Sequence, residues 1–294
     1  MNFQRKTLQI IQRLDPEKDA QRILSLSWYQ DFPWDSNKAL EFALFRTFAA
    51  PSISGLLATT GEFIKRPQRR YDDTALLIAE FIENGHHSEH GRRAIRRMNQ
   101  IHGRFKIPNE DYLYVLSTFI LEPCRWINRF GWRPYSEHER LATWFFWREV
   151  GRMMNIRDIP STYEALERFN VEYERAHFRY SESNRRIAAS TRELFLSWYL
   201  PPALRTLGQP VIHAMMDDPL REAFGFPRAP AALRLIVQGL LRARSHALRF
   251  FPARTSPRLL TQQPHRSYPE GYTIEQLGPP SGHGSDSDGP ARVA

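Results

Sequence analysis

The segment Arg93 to Phe105, RAIRRMNQIHGRF, sets one histidine into an apolar stripe. At helical spacing Ala94, Met98, Ile101, His102 and Phe105 share a face, while Arg93, Arg96, Arg97, Gln100 and Arg104 lie mostly off it. An imidazole there needs a hydrogen-bond partner, a proton to move or a metal to hold; most such histidines are satisfied core residues. No second ligand lies nearby in sequence. His102 therefore suits a metal whose other ligands come from a cofactor, and haem is that case, since the porphyrin supplies four nitrogens and the protein an axial ligand. Arg70 and Thr74, four residues apart, share a helix face. A cation and a hydroxyl so placed can hydrogen-bond dioxygen and stabilise developing negative charge. The plain alternatives are a solvated arginine and a threonine bonding back to a helix carbonyl.

Other constellations compete. His86 and His90 have the spacing of two metal ligands on a helix, but Gly85 and Gly91 flank them and favour an exposed polar loop that also holds His87. Two Glu-x-x-His pairs, Glu83–His86 and Glu174–His177, invite a di-iron site in a helical bundle. Gly85 interrupts the first pair, so the di-iron site stands as the second reading. Cys124, after Pro123, reads as a buried inert thiol. No Gly-rich phosphate loop and no Gly-x-Ser-x-Gly motif occurs.

These residues must be positioned by helices, because period-2 alternation is never sustained. Asp15-Pro16-Glu17 opens a helix running to about Tyr29, and Asp35-Ser36 caps the next. Pro51 to Phe63 forms a third, with small residues suited to close packing. Pro67 begins the helix of Arg70 and Thr74, which Gly85 stops. The His102 helix follows. Another runs from Asn109 to Glu122, ended by Pro123, and further helices span Ser136 to Met154, Ser161 to Phe178, Ser183 to Tyr199 and Pro230 to Leu248. The expected fold is all-α, a single helical domain over residues 1–278. Residues 279–294, rich in Gly, Pro and Ser, are expected to be a disordered tail.

Composition bounds the function classes. The 41% apolar content allows a sizeable core. The net charge of +9 is interspersed with acids, which argues against nucleic acid as partner and makes a basic helical binding module the weakest reading. One cysteine excludes any intrachain disulfide and every multi-cysteine zinc site. Neither a signal peptide nor a run of ~18 apolar residues is present, so the expectation is a cytoplasmic protein without a transmembrane segment, with peripheral membrane contact left open.

Several blocks in order carry a resemblance: ALEFALFRTFAAPSIS, RPQRRYDDT, AIRRMNQIHGRF, NEDYLYVLSTFILEPCRWINRFGWRP, ERLATWFFWREVGRMMNI and SYPEGYTIEQLGP. Together they span about Asp15 to Pro279, and the chain resembles the fungal MpaB-type oxygenases, grouped with the latex-clearing rubber oxygenases. The resemblance implies a mostly helical fold around b-type haem, dioxygen as co-substrate, and cleavage of a double bond in a hydrophobic isoprenoid or terpenoid side chain. It places the axial ligand in the block of His102. It matches Arg70 and Thr74 to an Arg-x-x-Lys-Thr arrangement on the distal side, with Asp73 at the lysine position. A lysine-capped resting haem is then not expected, and an acid beside the oxygen pocket would alter proton delivery. Arg97 and Asn99 are expected to hold haem propionates or to orient the ligand. Fungal relatives are often anchored at the endoplasmic reticulum by an extra N-terminal helix, which this sequence does not show.

Overall fold

A computed structural model describes residues 4–252, 254 and 256–279. The helices are α1 Gln4–Ile11, α2 Ala20–Ser25, α3 Pro33–Thr47, α4 Pro51–Thr60, α5 Glu62–Lys65, α6 Pro67–Asn84 and α7 Glu89–His102. They continue as α8 Asn109–Phe130, α9 Glu137–Met153, α10 Tyr163–His177, α11 Glu182–Ser197, α12 Pro202–Met215, α13 Asp218–Ala223 and α14 Ala231–Leu248. Among the described residues there is no strand, only an isolated bridge between His265 and Tyr268. The all-α expectation holds. The expectation for the tail falls, beyond residue 279, outside the described residues.

Prolines start α3, α4, α6 and α12 in their first turn, where a missing N–H leaves no hydrogen bond unmade. Gly61 and Gly85 take φ of 68° and 85° and separate α4 from α5 and α6 from α7. The helix expected over Pro51 to Phe63 is thus two, broken at Gly61. The segment opened by Asp15 passes into a π-helical turn, Leu26–Asp31. Asp35 is no cap: it lies buried in α3 and accepts from Trp126 Nε1 at 3.2 Å and Arg244 at 3.0 Å. Pro123 does not end its helix either. Buried Ile120, Leu121, Trp126, Ile127 and Phe130 keep one face of α8 in the core on both sides of it, and that packing outweighs one lost backbone bond.

Helix α8 is the spine, packed most extensively on α3 and also on α9, α10 and α14. The main core runs from Ile11 to Leu277 in sequence, so the last described segment is part of it. A second cluster, around Phe45, Phe48, Phe63, Phe195 and Phe224, ties α3 to α5, α11 and α13. Ser136 caps α9 in a capping box with Glu139. Glu139 also receives Arg133 at 2.7 Å, and Arg133 reaches Asp31 at 2.6 Å, so a buried ionic net joins the start of α9 to the π-helical turn.

Candidate functional site

Helix α7 is capped by Ser88, whose hydroxyl accepts from Gly91 N at 2.9 Å. Ala94 and Ile95 are buried, and Met98 and Ile101 pack on the core. His102 is the last residue of the helix, and its ring meets the edge of Tyr112 at 5.5 Å. The side chain is only partly buried, but its Nδ1 is fully enclosed and has no hydrogen-bond partner among the described residues. Burial first, and then the nearby positive charge of Arg70, lower its pKa to about 4. The imidazole is therefore neutral at neutral pH and keeps a lone pair for a ligand. A satisfied core histidine would have its nitrogens paired, and this one does not.

Helices α6 and α7 pack on each other, and the charge of Arg70 on α6 is felt by His102 on α7. The Arg70 guanidinium donates to Thr74 Oγ1 and lies over the Phe63 ring at 5.0 Å. Burial lowers its pKa, partly offset by Asp73 and Glu62. Neither acid pairs with it directly. Glu62 is held by Arg66 at 2.6 Å, and Asp73 accepts the Tyr268 hydroxyl. Arg70 is thus not the freely solvated arginine of the plain reading, but a partly buried cation without a carboxylate of its own among the described residues. Thr74 does bond back to the Arg70 carbonyl at 3.1 Å, as the plain reading of that residue had it, while also receiving the guanidinium.

Thr74 also lines a cavity of about 250 Å³ between α3 and α6. Leu40, Leu44, Ile78 and Phe119 give it apolar walls. A polar corner stands on one side, where Glu41 accepts from Lys38 at 2.7 Å and from Tyr71 at 2.9 Å. Burial raises the pKa of Glu41 against the pull of Lys38. Sequence reasoning missed this corner. The available signal was a glutamate inside the apolar run ALEFALF.

The remaining candidates, on the same two helices, make contacts of their own. Arg97 donates through Nε to the Leu277 carbonyl at 2.9 Å, and Asn99 through its amide to the Met153 carbonyl at 3.0 Å. Both fasten neighbouring chain onto α7. Asp73 is buried, and its Tyr268 partner belongs to a closing strap, residues 267–277, whose Ser267 N and Tyr272 hydroxyl also reach Asp72 and Glu80 on α6.

The di-iron constellation is not assembled. Glu83 accepts from Leu260 N, Thr261 N and Thr261 Oγ1, while Glu174 is gripped by Arg46 at 2.5 and 2.6 Å. His177 bonds to the Tyr173 carbonyl and stacks on that ring. Among the described residues no three His, Cys, Asp or Glu side chains converge as a metal-ligand group. His86 is not in an exposed loop, since Gly85 turns it inward against Phe146, while His87 and His90 stay exposed. Cys124 is buried and inert, with its pKa pushed up to about 12 by burial.

A sequence profile of the family described as ER-bound oxygenase mpaB/B'/Rubber oxygenase, catalytic domain, matches residues 40–248. The chain belongs to this family. The oxygenase is 33% identical over 225 residues to the ER-bound oxygenase mpaB of Penicillium roqueforti (strain FM164), covering 70% of this chain and 75% of that protein. It is 31% identical over 258 residues to the ER-bound oxygenase mpaB' of Penicillium brevicompactum, where it spans 61% of the relative's length and 80% of its own. The matched span contains Arg70, Thr74 and His102 together with the cavity walls at Leu40, Leu44, Ile78 and Phe119, while Lys38 of the polar corner lies before it. The reading as a non-enzymatic basic module gives way to that of an oxygenase.

Proposed function

We propose that the oxygenase holds one b-type haem through His102 and cleaves a double bond in a hydrophobic isoprenoid or terpenoid side chain with dioxygen. The observation that carries this is the enclosed, unpartnered Nδ1 of a neutral imidazole beside an arginine that has no carboxylate of its own. A lone protein ligand with no companion donors fits a metal that arrives in a macrocycle, and an unpaired cation fits an anionic partner. When bound, the haem supplies a redox-active iron that activates dioxygen. His102 ligates without first losing a proton. Arg70 and Thr74 offer a fixed positive charge and a hydroxyl to negative charge developing on reduced oxygen. The walls at Leu44, Ile78 and Phe119 take the hydrocarbon part of the substrate and exclude water from it. The Glu41–Lys38–Tyr71 corner orients a polar end group of the substrate. A substrate of this kind partitions into lipid, and the relatives' names place them at the endoplasmic reticulum, so the working location is a membrane surface in place of the open cytoplasm.

The test is the absorption spectrum and pyridine haemochrome of protein made with ample haem precursor. Wild type is expected to carry near-stoichiometric haem with a Soret band, and His102→Ala to lose it while keeping its helical circular dichroism. Full haem retention in a folded His102→Ala variant removes the assignment.

A further inference from the structure

Helix α14 is built inside out. Two of its three arginines turn inward, Arg234 to the Met216 carbonyl at 3.0 Å and Arg244 to Asp35 at 3.0 Å, with Arg244 also lying over Trp34. Its outward stripe is Ala232, Leu235, Ile236, Gly239, Leu240 and Ala243, all exposed, with Leu235 at 72% and Leu240 at 66%. Helix α12 packs beside it and does the same, exposing Leu204, Leu207 and Val211, with Leu207 at 74%. Phe250 follows α14 at 88% exposure. An apolar face of this extent is uncommon on a protein that works free in water.

The charge around the face is one-sided. From Ala223 to Pro269, 47 residues contain eight arginines and no acid, and residues 194–216 contain no acid either. Arg242 lies seven residues after Leu235, at the edge of the apolar stripe. Arg129 is exposed near the end of α8, on which α14 packs, and burial and the charges of Arg242 and Arg234 hold its guanidinium below the usual value. Asp217, Asp218 and Glu222, the acids between these two stretches, are engaged by Arg46, by Arg221, Arg228 and Arg234, and by Arg221 respectively. An apolar face rimmed by unneutralised arginines matches an anionic bilayer, with aliphatic side chains in the acyl boundary and guanidinium groups at the phosphates. A second copy of the chain would bring arginine to arginine with no carboxylate on the face to meet them.

We infer that the exposed face of α12 and α14 docks the oxygenase on a membrane surface carrying anionic phospholipid headgroups. The face orients the molecule through contacts that need no haem, so its test is separate from that of the cofactor. Purified protein is floated with vesicles of phosphatidylcholine alone and of phosphatidylcholine mixed with phosphatidylserine. Wild type is expected to bind the mixed vesicles strongly and the neutral ones weakly. Leu235→Asp with Leu240→Asp should lower binding to the mixed vesicles more than tenfold. Arg129→Gln with Arg242→Gln should lower it about 25-fold, near fivefold for each arginine, while leaving the weak binding to neutral vesicles in place. These positions are exposed, so circular dichroism and haem content stay as in wild type. Wild type that ignores both vesicles, or sediments as a dimer that Leu235→Asp dissociates, overturns the inference, as does binding that both double variants retain.

Discussion

Replacing Arg70 with Met separates a functional arginine from a structural one. In the folded chain this guanidinium donates to Thr74, lies over Phe63 and has no ion pair among the described residues, since Glu62 and Asp73 are held by Arg66 and Tyr268. Removing it forfeits one hydrogen bond, worth about 1 kcal/mol net, and one cation–π contact, worth about 0.5–1 kcal/mol. It also relieves the desolvation of a partly buried cation, at the low end of the ~1–4 kcal/mol seen when buried charges give way to apolar groups. The two nearly cancel, so the haem-free variant should unfold in urea within about 1 kcal/mol of wild type. A strut whose partner was a buried carboxylate would instead cost about 3–5 kcal/mol. Turnover should fall by about 10²–10³, the usual effect of losing one donor to a developing oxyanion. A loss of 3 kcal/mol or more in the unfolding free energy, or a haem-loaded variant that turns over like wild type, refutes the reasoning.

Two further outcomes follow from groups outside the site. His86 is buried against Phe146, and burial lowers its pKa from 6.5 to about 4. The unfolded chain therefore binds the extra proton between those values, and stability present above pH 6.5 is lost as pH falls toward 4. At 1.36 kcal/mol per pH unit this amounts to about 2 kcal/mol at pH 5, and His86→Leu should remove that much of the difference between the urea unfolding free energies at pH 7 and pH 5; an unchanged pH dependence counts against it. Tyr268→Phe takes the hydroxyl from buried Asp73 and should cost about 1.5–3 kcal/mol, with faster proteolysis within the strap at residues 267–277. Wild-type protease resistance would show that the strap is held by its apolar contacts alone.

The sequence determined the helices that carry the site, because their signals are local. Pro67 and Gly85 bound α6, Ser136 with Glu139 starts α9, and the apolar spacing from Ala94 to Ile101 marks the inner face of α7. It also singled out His102 as a histidine in need of a partner, since a polar ring in an apolar stripe is visible from periodicity. Only tertiary structure decided that the partner is missing, that Arg70 from another helix bears on the same ring, and that Arg97, Asn99 and Asp73 fasten neighbouring segments. It likewise decided that α8 runs through Pro123 and that α14 turns its arginines inward. Each of those outcomes depends on which residues distant in sequence supply a hydrogen bond or a buried surface. Spacing within one helix fixes which side chains share a face, but what that face meets is set by the packing of the other helices against it.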